Sequence, residues 1–307
     1  MKAYKGFRRD MTCRDFQYEE GKSYETDKVK CCSTGFHACE NPVDCLFYYD
    51  PYHGAVFHEV ELEGDFDSDD FGTKIAATKI TVGARLTIAG LAKAAIDFRM
   101  RRVKPGNEED GSHGSVSATD NFSVAGISGD DSVASVRGDY SAASATGDRS
   151  VANATGHKSA ANVTGNRSVA SVTSPFSVAG TMGCFSVASA TGDKSVVSAT
   201  GRNSVATATN RNSIISVTGR SSVACSTGDF SVVSAENETA VAVAWGIHGK
   251  AKGVKGAYLI FADWRLNKNY DWYLHGAKMV RIDGEKYKAD TWYEISGGKV
   301  VESFSQK

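Results

Sequence analysis

The sequence contains no hydrophobic run long enough to cross a membrane, and its first residues lack the apolar segment of a signal peptide. Its charges are nearly balanced, with 35 Lys and Arg residues against 36 Asp and Glu residues, so neither a basic face for phosphate groups nor an acidic imitation of DNA is expected. The seven cysteines include the adjacent pair Cys31 and Cys32, and without a secretion signal they are predicted to be reduced thiols. These absences predict a cytoplasmic protein that binds neither membranes nor nucleic acids.

Metal-binding patterns are missing as well. Residues 37–58 contain three histidines and two cysteines, but their spacing lacks the paired ligands of a zinc site. The acidic run at residues 61–70 lacks the loop pattern of an EF-hand, and the repeat described below lacks the Gly-Gly-x-Gly-x-Asp phrase of calcium-binding nonapeptides. We therefore interpret these residues as structural and expect no metal.

What the sequence does contain is one nine-residue phrase, Ser-Val-Ala-Ser-Ala-Thr-Gly-x-x, which recurs through residues 111–246. A fixed short period held over this length indicates a repeat architecture. The glycine of the seventh slot lapses at Ser174 and Asn210. The serine of the first slot stands at Ser123, Ser132, Ser141, Ser150, Ser159, Ser168, Ser177, Ser186, Ser195, Ser204, Ser213, Ser222 and Ser231.

Each phrase predicts a short strand followed by a tight corner, because β-branched residues precede a Gly-x-x turn and no helical spacing is present. Side chains alternate along a strand, so slots one, three and five share one side, which we assign to the interior since slot three is never polar. An alanine-sized interior predicts a flattened β-solenoid of about fifteen nonapeptides, two per coil, with glycine supplying the positive φ or the tight corner between the strands. The opposite assignment, with valine inside and alanine outside, stays open.

Two outer features of the solenoid predict contact with other molecules. The valines of slot two would form a row on a solvated wall, which favours packing on another copy or on a partner. Aromatic residues recur in the last slot at the corners, and Phe176 and Phe185 are expected to stack in neighbouring units. We predict that these corner residues bind a partner, with local corner packing as the alternative: Phe122, Tyr140, Phe176, Phe185 and Phe230.

The remaining chain predicts two further parts. Residues 1–102 form an α+β head with strands at 3–7, 35–39, 55–63 and 74–82, a short helix after the N-cap Asn41 and a second helix at 88–101. A polar linker at 103–110 leads into the solenoid, 111–247. Residues 248–307 form a β cap with strands at 257–264, 278–282, 291–296 and 299–303, because an open solenoid end needs covering. Trp264, Trp272 and Trp292 are assigned to the core of this cap.

Over nearly its whole length the chain resembles an uncharacterised family of phage and prophage proteins. The shared segments here are residues 4–7, 16–19, 21–22, 24–25, 35–40 and 283–293. This resemblance implies the cytosol of a host cell but no activity. The repeat alone is similar to the β-roll heads of trimeric bacterial adhesins, and more distantly to ice-nucleation repeats.

Part of the head resembles ADP-ribosyltransferases in residues 35–39, the following helix and residues 57–64. The resemblance implies that Lys5, Gly6 and His37 would contact NAD. Lys5 stands where that family has His or Arg, and His37 stands where it has the Tyr that stacks on nicotinamide. The strand at 74–80 has no glutamate to stabilise the oxocarbenium-like centre, so no catalytic residue is assigned.

We therefore predict a non-catalytic phage accessory protein that binds a host or phage protein, forms a homo-oligomer (a dimer or trimer), and inhibits a host defence system. It would need no cofactor. The alternatives are an ADP-ribosyltransferase that uses NAD to modify a host protein, and a structural trimeric spike.

Overall fold

The computed structural model describes residues 1–68, 73–102, 107–110 and 113–303. It divides into two compact units, Met1–Phe98 and Arg99–Lys307, and each unit has its own hydrophobic core.

The first unit is built on an antiparallel sheet with the strand order β4-β7-β5-β1-β6. Because β6 pairs with both β1 and β7, part of the sheet closes on itself around a core that includes Phe7, Leu62 and Ile80. The strands are β1 (Lys2–Phe7), β2 (Thr12–Cys13), β3 (Phe16–Gln17), β4 (Ser23–Glu25), β5 (Phe36–Cys39), β6 (Val56–Ser68) and β7 (Lys74–Arg85). All four strands predicted in the head are present.

The helices of the head differ in type from the prediction at one place. The segment after Asn41 is a 3-10 helix, Pro42–Phe47, and although Asn41 occupies the N-cap position its side chain makes no capping hydrogen bond. A second 3-10 helix, Pro51–His53, follows. The predicted second helix is confirmed as α1 (Ile88–Arg102).

The second unit is a β-solenoid of about eight turns over residues 115–261. Strands pair in parallel with the strand 18 residues away, as in Val133 with Val151, so one coil contains two nonapeptides. Wall 1 consists of β8 (Asn107–Asp110), β10 (Val124–Ser128), β12 (Ala142–Thr146), β14 (Ala160–Thr164), β16 (Val178–Thr181), β18 (Val196–Ala199), β20 (Ile214–Val217), β22 (Val232–Ala235) and β24 (Lys250–Gly253). Wall 2 consists of β9 (Ser115–Ala118), β11 (Val133–Val136), β13 (Val151–Ala154), β15 (Val169–Val172), β17 (Val187–Ala190), β19 (Val205–Ala208), β21 (Val223–Ser226), β23 (Val241–Ala244) and β25 (Tyr258–Leu266).

The interior of the solenoid is lined by the predicted slots. Ala134, Ala152 and Ala170 in slot three are fully buried, and so are the slot-one serines from Ser132 to Ser231. The valines of slot two do not all lie on a solvated wall: on wall 1 Val196 and Val232 are buried, whereas on wall 2 they are half-buried. The prediction of a solvated valine row is therefore wrong for wall 1.

Of the two roles predicted for the corner glycine, positive φ is found at Gly129 and Gly147, and the tight corner is found along the repeat. Positive φ belongs chiefly to the ninth slot, for example 57° at Tyr140 and 58° at Arg149. The glycine is needed because successive corners stack closely: a Cβ at Gly183 would lie 1.9 Å from the carbonyl oxygen of Gly165. Only a residue without a Cβ permits this approach without a shift of the backbone.

Serine hydroxyls in slot one connect the coils inside the solenoid. The Oγ of Ser204 accepts a hydrogen bond from the backbone N–H of Ser186 at 3.1 Å and donates one to the carbonyl oxygen of Gly183 at 2.9 Å. The same contact recurs 18 residues earlier, where Ser168 N–H donates to the Oγ of Ser186. Buried hydroxyls thus satisfy backbone groups that the strands leave unpaired.

The two ends of the solenoid are closed by additional strands. Within the segment predicted as a linker, residues 107–110 form β8 and pair with β10, while residues 103–106 lie outside the described part of the chain. At the other end β26 (Trp272–Arg281) extends wall 2, and β27 (Tyr293–Ser296) and β28 (Lys299–Glu302) extend wall 1. The predicted cap is therefore present as antiparallel continuations of both walls.

Candidate functional site

The structure brings Lys5 and His37 together in the head. They lie on the neighbouring strands β1 and β5, which pair at Tyr4 and Cys39, and the Nζ of Lys5 donates a hydrogen bond to the carbonyl oxygen of His37 at 2.6 Å. Lys5 is buried, and its Nζ lies 5.6 Å from the ring centre of Phe7 and 5.4 Å from that of Tyr18, two rings that contact each other with their centres 5.0 Å apart. Of the residues predicted from the transferase resemblance, this pair is in direct contact.

Two residues that the sequence did not indicate complete this head cluster, which we define as Lys5, Cys13, His37 and Tyr49. The hydroxyl of Tyr49 donates a hydrogen bond to the Sγ of Cys13 at 2.8 Å. Tyr49 also covers Gly6, where a Cβ would lie 2.8 Å from the Cβ of Tyr49. Gly6 is thus explained by the packing of Tyr49, and no sequence motif pointed to Cys13.

Burial controls the charge of the head cluster. It lowers the pKa of Lys5, and the neighbouring thiols of Cys13, Cys45 and Cys39 oppose this effect. Burial also lowers the pKa of His37, with smaller contributions from nearby cations. The Nε2 of His37 is buried and has no hydrogen-bond partner in the described part of the chain. Burial therefore disfavours the charged forms of Lys5 and His37.

The lowered pKa of Lys5 predicts a pH dependence of stability. In the unfolded chain the amine has its ordinary pKa of about 10.4, so below that value the unfolded state binds more protons than the folded state. The contribution of Lys5 to the free energy of unfolding should therefore be complete above about pH 10.4 and should decrease as the pH falls towards the folded-state pKa. The difference in unfolding free energy between wild type and Lys5→Met, measured by urea denaturation from pH 7 to 10, should move in favour of the wild type as pH rises. A difference independent of pH would contradict this.

The predicted aromatic residues lie at the corners of the solenoid, but on two different edges. We define edge 1 as the corners that lead from wall 2 to wall 1, and edge 2 as those that lead from wall 1 to wall 2. Edge 1 carries four of the aromatics, and edge 2 carries Phe185. The predicted stacking of Phe176 with Phe185 is wrong, because consecutive nonapeptides belong to opposite walls. The edge 1 aromatics are Phe122, Tyr140, Phe176 and Phe230.

On edge 1 the rings contact neighbouring corners. Phe122 and Tyr140 stack with their ring centres 5.0 Å apart and their planes 9° apart, and Phe230 and His248 stack at 5.2 Å. Three cations also lie over rings at 5.5–5.6 Å: Lys158 over Tyr140, Lys194 over Phe176 and Arg211 over Phe230. These contacts support local corner packing for the rings of edge 1. Phe122 and Phe185 nevertheless keep more than half of their surface exposed, at 62% and 57%.

Several exposed large apolar side chains lie together on the β25–β26 hairpin of the predicted cap. Tyr258 faces Arg281, and Ile260 faces Met279, on the outer side of wall 2. A register shift after Asp263 then places Trp264 opposite Leu274 and Leu266 opposite Trp272 on the same side. We call this outer side the hairpin face: Tyr258, Ile260, Trp264, Leu266, Trp272, Leu274, Met279 and Arg281.

Most of the hairpin face is open to solvent. Met279 is 65% exposed, and Leu266, Trp272 and Leu274 are between 41% and 49% exposed, so the assignment of Trp272 to the cap core is wrong. Trp264 is half-buried and its Nε1–H donates to the carbonyl oxygen of Trp245 at 2.7 Å. Residues 258–262 are all apolar, so this strand carries apolar side chains on its outer side as well as its inner side, and that run is the signal that would have revealed this face.

The hairpin face is continuous with wall 2. Tyr258 and Ile260 are in register with Val241 and Val243 of β23, whose outward side chains are half-buried. Within the described part of the chain β26 is the last strand of its sheet, so its outer edge carries backbone groups that can pair with another strand. An apolar side and an open edge therefore coincide at this end of the solenoid.

Across residues 1–68, 73–102, 107–110 and 113–303, no group of three or more His, Cys, Asp or Glu residues is arranged to hold a metal ion. No helix in the described part of the chain is long and apolar enough to cross a membrane.

Comparison with known proteins gives a match for the head alone. A family model described as a domain of unknown function (DUF7666) matches residues 1–94. No curated protein and no solved structure matches the chain. The head is thus similar to a described family, but the match carries no activity.

Proposed function

We propose that this chain is a non-catalytic binding protein whose hairpin face docks on another protein. The proposal depends on the exposure of Trp272, Leu274 and Met279 together on the outer side of the β25–β26 hairpin. Contiguous exposed apolar patches are uncommon on soluble monomers and mark interaction sites. Trp, Tyr and Met are also among the residue types enriched at protein interfaces.

The partner that we propose is a host or phage protein with an apolar surface of its own. Arg281 is the charged residue of the hairpin face, and its guanidinium group lies 5.9 Å from the ring centre of Tyr258. The face therefore offers little charge to steer an oppositely charged partner. Affinity would come from burial of large side chains such as Trp272.

The resemblance to phage and prophage proteins favours a setting in the cytosol of an infected cell. There, binding without catalysis would serve to block a host defence protein, with the head and the rest of the solenoid adding contacts. The same apolar face would also account for a homo-oligomer, as a dimer or trimer.

The experiment compares exposed residues on the hairpin face with exposed aromatics elsewhere. Immobilised wild type should retain a specific bacterial protein, and Trp272→Ser with Met279→Ser should weaken its binding by about 2 kcal/mol or more, roughly 30-fold. The control Phe122→Ser with Phe185→Ser should leave binding unchanged. A partner retained equally by both double variants would contradict the proposal, and so would a stable trimer that retains no other protein, since that result favours a structural spike.

A second candidate function is the binding of NAD in the head. The observation that favours it is the contact of Lys5 with His37 beside Gly6, which unites the residues implied by the transferase resemblance. If the chain is an ADP-ribosyltransferase, labelled NAD should mark a protein in a host lysate, and Lys5→Ala and His37→Ala should abolish the label. Absence of label with a folded head would remove this candidate.

A further inference from the structure

We propose that Cys31 and Cys32 form a redox-active vicinal dithiol that exchanges with small disulfides such as glutathione disulfide. The two cysteines occupy a closed turn between Lys30 and Thr34. The backbone N–H of Lys30 donates to the carbonyl oxygen of Thr34 at 3.0 Å, and the N–H of Thr34 donates back to Lys30 at 2.9 Å. This turn holds the two Sγ atoms 3.9 Å apart.

Cys32 is the thiol that a small disulfide can reach. It is exposed and has a left-handed backbone conformation with φ of 66°. The Nζ of Lys74 lies 3.4 Å from its sulfur and donates a hydrogen bond to it. An ammonium group at this position stabilises the negative charge that develops on sulfur when the thiol loses its proton, and the thiolate is the nucleophile in exchange.

Cys31 is placed to complete the reaction. It is half-buried, and its backbone N–H donates to the Oδ2 of Asp67 at 2.7 Å, which holds this side of the turn on β6. Its sulfur lies 4.0 Å from the carbonyl oxygen of Lys74. The thiol of Cys31 is thus less accessible to solvent but adjacent to the sulfur of Cys32.

The chemistry is two consecutive exchanges. The Cys32 thiolate attacks one sulfur of glutathione disulfide, so that a mixed disulfide forms and the first glutathione leaves as a thiolate. Cys31, after losing its proton to solvent, attacks the Cys32 sulfur, and the second glutathione leaves. The two cysteines are oxidised to a disulfide, and one glutathione disulfide is reduced to two glutathione thiols.

Such a disulfide should be easily reversed. Consecutive Cα atoms are about 3.8 Å apart across a trans peptide, whereas ordinary disulfides join Cα atoms about 4.4–6.8 Å apart. A bond between neighbours is therefore strained, and strained disulfides are the more reducible ones. This property suits a reversible modification more than a structural crosslink.

The other cysteines lack this combination. Cys39 and Cys45 are buried, and a hydrogen bond between the two thiols together with burial raises the pKa of Cys45. Burial likewise raises the pKa of Cys225 in the solenoid. Cys184 is half-buried in a solenoid corner and serves as a control thiol.

The test is incubation of the full chain with glutathione disulfide, followed by alkylation of remaining thiols and mass spectrometry. Wild type should lose the thiols of Cys31 and Cys32 without retaining glutathione, and a dithiol reductant should restore both. Cys31→Ser should accumulate a stable glutathione adduct on Cys32, and Lys74→Gln should slow thiol loss by roughly three- to tenfold. Cys184→Ser should behave as wild type.

Three results would overturn the proposal. The first is a stable glutathione adduct on wild type, because Cys31 would then not act as the resolving thiol. The second is an equal rate of thiol loss in Lys74→Gln. The third is no reaction of Cys32 while far-ultraviolet circular dichroism shows a folded chain.

Discussion

Gly183→Ala should lower the free energy of unfolding of the solenoid by about 2–4 kcal/mol. The added Cβ would lie 1.9 Å from the carbonyl oxygen of Gly165 and 2.9 Å from the backbone nitrogen of Asn166. Both atoms belong to backbone, which cannot swing aside as a flexible side chain would. The corner must therefore shift, and that shift disturbs the parallel pairing on both sides of it.

We choose Gly183 because the neighbouring corners on edge 2 also have glycine in the seventh slot. Edge 2 keeps glycine from Gly129 to Gly219, whereas the lapses at Ser174 and Asn210 both fall on edge 1. The matched control is Gly276→Ala in β26, where an added Cβ would meet nothing within 4 Å. It should change the unfolding free energy by less than about 0.5 kcal/mol.

Urea unfolding followed by tryptophan fluorescence measures both variants. All four tryptophans lie between Trp245 and Trp292, so the signal reports the second unit and not the head. Equal unfolding free energies for Gly183→Ala and Gly276→Ala would show that the corner relaxes without cost, and the close-stacking account of the glycine would be wrong.

The architecture of the solenoid could be predicted from the sequence because every coil repeats the same physical problem. Side chains alternate along a strand, so slots one, three and five lie on the same side. Slot three, which includes Ala134 and Ala152, is never polar, so this side is predicted to be buried in every copy. The 18-residue register then follows from two strands and two corners per coil. Because the same slots recur in every nonapeptide, an unusual residue at one position does not change the prediction.

The role of the corner glycine could not be predicted in the same way. A repeated glycine indicates that a side chain is unfavourable at that position. The sequence does not distinguish whether the reason is a positive φ or the close approach of another backbone segment. The structure separates them, since Tyr140 and Lys158 carry the positive φ two residues after Gly138 and Gly156, which stack closely on the preceding corner.

The head cluster and the hairpin face could not be predicted from the sequence, because both depend on contacts between residues that are far apart in the chain. Cys13 and Tyr49 are 36 residues apart and meet only because the 3-10 helix packs beside β1. Trp272 was assigned to a core because tryptophan in a short cap is usually buried, but the hairpin has no strand beyond β26 to cover it in the described part of the chain. The local sequence pattern predicts the strands, but which side of each strand is buried depends on the tertiary pairing of the strands.

Ser204→Ala should lower the free energy of unfolding by about 1–3 kcal/mol, because it removes the acceptor of a buried backbone N–H at Ser186 and the donor to Gly183. The matched control is Ser189→Ala. Ser189 is half-exposed on the outer side of wall 2, and its hydroxyl contacts only the hydroxyl of Ser171 at 3.4 Å among the hydrogen bonds of the described residues.

The same substitution is made at both positions, but Ser204 faces the interior of the solenoid and Ser189 faces outward from wall 2. We expect Ser189→Ala to shift the unfolding free energy by less than about 0.5 kcal/mol, measured by the same fluorescence-detected urea unfolding. If both variants destabilise equally, the cost comes from lost strand packing in general. If Ser204→Ala alone destabilises, the inward serine column is a hydrogen-bonding element, which explains why a polar residue is kept in the first slot of an otherwise apolar interior.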